Sequence, residues 1–189
     1  MRSIMNGFIA VMLVTLPLAA VHADDYTDTI KAFQTAGQSG KLFQSAYGYA
    51  VFPSIAKGGA GIGGSHGTGR VYAQGQHIGD TKMTQLTVGL QLGGQVFSEI
   101  IFFADKRSLD EFTSGNFEFG AQATAVAITA GASAQSGTTG TSAGASAGKN
   151  NADALGVYHK GMAIFTVAKG GLMYEAAVGG QKFSYTPVK

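Results

Sequence analysis

The sequence predicts a mainly β, α+β fold: a single domain of antiparallel strands in a curved sheet, sandwich or barrel-like form, with N-terminal helices and one short surface helix. Three observations carry that expectation. Glycine is abundant, 29 of 189 residues, and it crowds the stretch YAVFPSIAKGGAGIGGSHGTGRVY from Tyr49 to Tyr72, where the backbone must bend sharply or come close to another backbone. Apolar residues alternate with period two after Pro53, most clearly at Val88, Leu90 and Leu92 with Gly89, Gln91 and Gly93 between them, as in a half-buried strand. Charged residues make up only 13% of the chain, while threonine and aromatics are common, a composition that favours strands in close contact.

The chain opens as an export signal: Met1-Arg2, an apolar run from Ile4 to Leu18, then Val21-His22-Ala23 with the small residues that signal peptidase reads. Cleavage is expected before Asp24, so 1–23 is read as a signal peptide and the protein as periplasmic or secreted. A retained anchor needs about 20 apolar residues, and this run is shorter and interrupted by Pro17. With no cysteine in the chain, neither disulfides nor an N-terminal lipid is available, and the fold must stand on its core.

Residues 24–36 read as the first helix. Asp24, Asp25 and Asp28 suit its positive end, and Tyr26, Ile30, Phe33 and Ala36 share a face before Gly37 stops it. Its polar face is acidic, which favours docking on the domain's own sheet over lying on a membrane. A second short helix is expected with Ser39 as its N-cap. Beyond Pro53, Val71, Ala73, Met83 and Gln85 continue the strand pattern, and VFSEIIFF from Val96 to Phe103 reads as a strand buried on both faces. Glu99 interrupts that run; a lone carboxylate there is a candidate functional acid, and an edge position or a lysine partner is the commoner explanation. Asp105 to Phe112 reads as a surface helix ended near Gly115, with Leu109 and Phe112 pointing inward. Phe117, Phe119, Ala121, Ala123, Ala125 and Ala127 form another alternation. The span 131–150 is low-complexity Ala, Gly, Ser and Thr, expected as a mobile loop. Three strands should follow, Leu155 to Lys160, Met162 to Ala168 and Leu172 to Val178, with turns at Gly161 and Gly170-Gly171 and with Phe183 to Tyr185 closing the sheet.

Enzyme motifs occur, but their contexts fail. Gly59 to Gly64 satisfies G-x-G-x-x-G with Asp80 downstream, yet Ser-His-Gly-Thr-Gly follows it where a helix should open. Gly63 to Gly67 satisfies G-x-S-x-G, with Asp105 and His159 further on, but the same pattern recurs at Gly140 to Gly144 and Gly144 to Gly148, so composition produces it. His66, His77 and His159 lack metal-ligand spacing. A net charge of +2 with singly scattered cations is no nucleic-acid footprint. The chain therefore reads as non-enzymatic, with no metal or cofactor.

The chain also echoes itself, Ala56-Lys57-Gly58-Gly59 returning as Ala168-Lys169-Gly170-Gly171. With Ala50-Val51-Phe52-Pro53, Gly61-Ile62-Gly63-Gly64, Gly89-Leu90-Gln91-Leu92-Gly93-Gly94 before IIFF, Lys160-Gly161 and Gly171-Leu172, the series from about Gly37 to Tyr185 resembles the SYLF family in its bacterial exported branch. That resemblance implies a SYLF-like domain over 37–189 that binds phospholipid head groups, phosphoinositides in eukaryotic members, some of which also bind actin. It implies no catalysis. A head-group site needs cations beside glycine turns whose N–H groups cradle phosphate. The candidates are Lys57 with Gly58 and Gly59, and Lys169 with Gly170 and Gly171, with Arg70 and Lys160 as further cations. The expected partner is an anionic phospholipid or membrane surface. Two other readings stand beside this one: a structural or stress-associated envelope protein without a ligand, and an outer-membrane β-barrel.

Overall fold

Two very long strands make the frame in the computed structural model, which describes residues 23–120, 126–128, 158–178 and 180–189. They are β1 (Gly48–Ala73) and β2 (Gln76–Phe103), of 26 and 28 residues, several times the usual length. They pair antiparallel from Gly48 opposite Phe103 down to Ala73 opposite Gln76. Gln74 and Gly75 join them, with φ of 49° and 82°, as a two-residue type I′ hairpin turn requires. Register shifts at Phe52/Ile55, Ala60/Ile62 and Val71/Tyr72 add local twist, and a hairpin this long curls instead of lying flat.

On the other edge of β2, β6 (Gln181–Pro187) pairs with Gly79 to Gln85, and β5 (Met162–Val178) pairs with Val88 to Phe103. β3 (Phe117–Phe119) adds outside β6, and β4 (Val126–Ile128) runs parallel to β5. The result is a curled half-barrel, mainly antiparallel. Its inner face packs Phe52, Ile55, Val71, Met83, Ile101, Phe103 and Phe183 against Leu109 and Phe112 of α3 (Lys106–Phe112). The two halves of β1 meet across that interior. A Cβ on Gly67 would lie 2.6 Å from Ile55 Cγ1, and one on Gly69 2.8 Å from the Val51 carbonyl oxygen, so only glycine lets the curl close there.

The upper outer face is covered by α1 (Ala23–Thr35) and α2 (Ser39–Ser45). Tyr26, Phe33 and Leu42 pack on Val51, Ile100, Phe102 and Phe165, and the Arg70 guanidinium lies 4.2 Å over the Tyr26 ring. With the sheet sandwiched there, Ile100, Ile101, Phe102 and Phe103 are all fully buried, as the apolar run predicts. The acidic first helix docks on the sheet, and α3 opens with a capping box between Asp105 and Ser108.

Several elements differ from their sequence expectation. Ser39 is not an N-cap. It lies within α2, and its hydroxyl donates to the Phe33 carbonyl at 2.6 Å, tying the two helices together. Gly170-Gly171 is not a turn: β5 runs straight through, with one register shift opposite Val96/Phe97, because the curve of β2 is met by a bulge. The turn at Gly161 does form, with φ of 81°. β6 does not close the sheet, since β3 pairs its outer edge. Glu99 is neither at an edge nor paired with lysine. It sits in mid-β2, fully buried, and Gln181 Nε2 donates to its Oε2 at 3.1 Å. The expected signal peptide up to residue 22, the span 131–150, the alternation at 121–125 and the expected strand start at 155–157 lie outside the described residues.

Candidate functional site

Halfway along the hairpin both strands bend, and the bend carries the chemistry. Gly61 has φ of 75° on β1, and Gly89 and Gly93 have φ of 151° and 123° on β2. Around them β2 buries its odd positions, Thr81, Met83 and Thr87, while Leu86 and Val88 point out. Leu86 and Leu92 are each 68% exposed, Ile62 66% and Val88 61%. Ile62 pairs with Val88, Gly64 faces Leu86 and Ala60 faces Leu92, so the four side chains form one outward apolar stripe. Contiguous exposed apolar patches are where proteins commonly meet partners or membranes.

This reverses the expected burial of Val88 and Leu92, while the Leu90 side chain lies outside the described residues. Period two shows that a strand has two unlike faces and not which one points inward. Inside the curl there is room for Gly63, Ser65, Gly67 and Thr87, all buried, and not for leucine. Leu86 and Ile62 were missed on sequence. A signal existed: Met83 is odd and Leu86, Val88 and Leu92 are even, so an unbulged strand cannot bury both sets.

The two lysine-diglycine segments lie at one level of the sheet, on either side of β2. Lys57, Gly58 and Gly59 face Gln95, Gly94 and Gly93. Across β2, Gly171 faces Gln95 and Gly170 faces Val96, with Lys169 in the bulge. Two strand spacings, about 10 Å, separate them. Lys169 is exposed and Lys57 half-buried. Both segments are strand, not turn. Arg70 and Lys160 lie apart from this level. Arg70 is engaged with the Tyr26 ring and lies 4.0 Å from Asp80 Oδ1. Lys160 occupies the turn ahead of β5 with φ of 53°, near the Phe103 end of β2 and about 26 Å along the strand from Gln95.

Elsewhere the chemistry is sparse. His77 Nε2 lies 3.1 Å from Asp80 Oδ1, and His66 and His159 are exposed on other parts of the sheet. Among the described residues no cluster of His, Asp or Glu could hold a metal, and no helix is long and apolar enough to cross a membrane. At Glu99, burial pushes the carboxyl up to about 7, partly countered by the Gln181 hydrogen bond. Its Oε1 has no partner among the described residues.

A family model described as "Ysc84: Las17-binding protein actin regulator" matches residues 84–185, the span from the bend of β2 to the middle of β6. A curated relative, "Beta cell expansion factor A" of Aeromonas veronii, is 30% identical over 166 residues, 83% of this chain and 52% of that protein. The chain thus spans about half the length of that relative. With the family match covering more than half of the chain, and a curled antiparallel sheet beneath it, the protein belongs to the SYLF (Ysc84) family.

Proposed function

We propose that the protein binds the surface of anionic phospholipid membranes without catalysis, as an exported envelope-side domain, through the outward bend of its hairpin. The observation that carries this reading is the stripe of Ile62, Leu86, Val88 and Leu92, each more than 60% exposed on one face. Burying one such side chain is worth roughly 1.5–3 kcal/mol, whereas a lysine near an anionic surface adds about 1 kcal/mol. The stripe therefore dominates, and Lys169, exposed beyond its Leu92 end, adds preference for negative head groups, while Lys57 alternates with Ile55 toward the inner face of β1 and contributes less. Binding should weaken with salt but persist.

Flotation of the protein with phosphatidylcholine vesicles, and with vesicles also containing phosphatidylglycerol, tests this. Leu86→Ser with Val88→Ser should cut binding to both by about tenfold or more. Lys57→Ala with Lys169→Ala should reduce only the preference for phosphatidylglycerol. A wild-type protein that floats with neither vesicle at low salt sinks the reading.

A further inference from the structure

Just below the apolar stripe, the same outward face changes character. His66 on β1, Thr84 on β2 and Lys182 on β6 stand in register as one rung, and Thr68, Lys82 and Ser184 form the next. His66, Lys82, Thr84, Lys182 and Ser184 are all exposed, and with Asn116 they line a shallow cavity of about 200 Å³. Lys82 and Lys182 are diagonal neighbours, about 7–8 Å apart at the backbone, and like charges placed so in a sheet repel.

Among the described residues no carboxylate forms an ion pair with either lysine. Arg70, His77, Lys106 and Arg107 do make such pairs, and neither Lys82 nor Lys182 takes part in them. Two carboxylates are near by register. Glu118 on β3 faces Lys182 without pairing to it. Asp80, one rung beyond Lys82, is held by His77 at 3.1 Å and Arg70 at 4.0 Å. Thr84 and Ser184 occupy the other diagonal of the same two rungs, and with Asn116 and His66 they line the cavity beside the lysines. Two cations with several neutral donors, in a cavity of that volume, match a tetrahedral oxyanion that accepts hydrogen bonds on every side.

We infer that this cavity is a phosphate site, taking a phosphomonoester or the phosphodiester of a head group. As a lipid site the inference rests on the membrane reading above. Leu86 follows Thr84 on the same face, about 7 Å further along, so a phosphate seated between Lys82 and Lys182 would leave acyl chains beside the stripe. The cations of the sequence echo, Lys57 and Lys169, lie on the far side of the stripe from this cavity and are not part of it.

Inorganic phosphate and glycerol 3-phosphate, titrated at constant ionic strength, should give saturable NMR shifts at His66, Thr84 and Lys182. Lys82→Ala with Lys182→Ala should weaken that binding by about tenfold or more, while the charge-matched Lys31→Ala with Lys41→Ala should leave it unchanged. All six positions are exposed or at the rim, and matching thermal melts check that the variants fold. Vesicles containing phosphatidic acid separate the two sources. A lipid site predicts that the Lys82/Lys182 variant loses the phosphatidic acid preference, keeps its binding to phosphatidylcholine, and is mimicked by competition with glycerol 3-phosphate. Phosphate shifts with unchanged flotation support the site with a soluble ligand. Absence of saturable shifts in the folded wild type overturns the site, whatever the vesicles show. Failure of the wild type to float, with the shifts present, overturns the membrane reading alone.

Discussion

Among the described residues Glu99 carries the clearest pH dependence. Its carboxyl is raised from 4.5 to about 7 in the folded protein by burial, so the unfolded chain ionises it more easily. Its contribution to stability is full below pH 4.5 and is lost as pH rises through about 7. A shift of this size corresponds to on the order of 3 kcal/mol. Urea unfolding should therefore show higher stability at pH 5 than at pH 8, and Glu99→Gln should flatten the curve between them. A wild type equally stable at both would mean the carboxyl is solvated. The sequence revealed the oddity of a carboxylate in an apolar run but not its setting, because Gln181, its partner, is 82 positions away. At Gly69 the constraint is steric. A methyl would meet the Phe52 ring at 2.6 Å and the Val51 carbonyl oxygen at 2.8 Å, and the carbonyl cannot rotate away, so Gly69→Ala should cost roughly 1–3 kcal/mol in the same assay.

Among the elements, α1 and α3 were the most legible. Helical spacing with Gly37 or Gly115 behind it fixes both the inward face and the end, since these are local signals. Phe33, which leads the inward face of α1, is fully buried. Phe33→Ala should cost about 3–5 kcal/mol if the helix stays docked, and less if it simply detaches, a distinction that proteolysis between 35 and 47 would report. The strands were legible as strands but not in their extent or facing. β5 was read as two pieces because paired glycines usually mark a turn, whereas here they sit in a bulge against a curved neighbour. β2 was read with Val88 inward because nothing local says which side of a curl is concave.

Over the whole molecule, the fold class was readable because glycine, alternation and low charge all point to closely packed antiparallel strands. The site was only half readable. Lys57 and Lys169 are marked by their repeat and do come to one level of the sheet. The stripe and the Lys82/Lys182 cavity join residues from β1, β2 and β6, and only long-range register brings those together. The same register shapes how the structure is reached. Gln74 and Gly75 can close the hairpin from residues a few positions apart, and pairing can then zip outward toward Gly48 and Phe103. β5 and β6 can dock only once β2 offers an edge. A transition state built around the hairpin follows. In stopped-flow measurements Gly75→Val, which forces a β-branched residue to φ of 82°, should slow refolding and barely change unfolding. Phe165→Leu in β5 should do the reverse. The turn between the two long strands thereby sets the tempo of folding, and the late strands decide how long the native state survives.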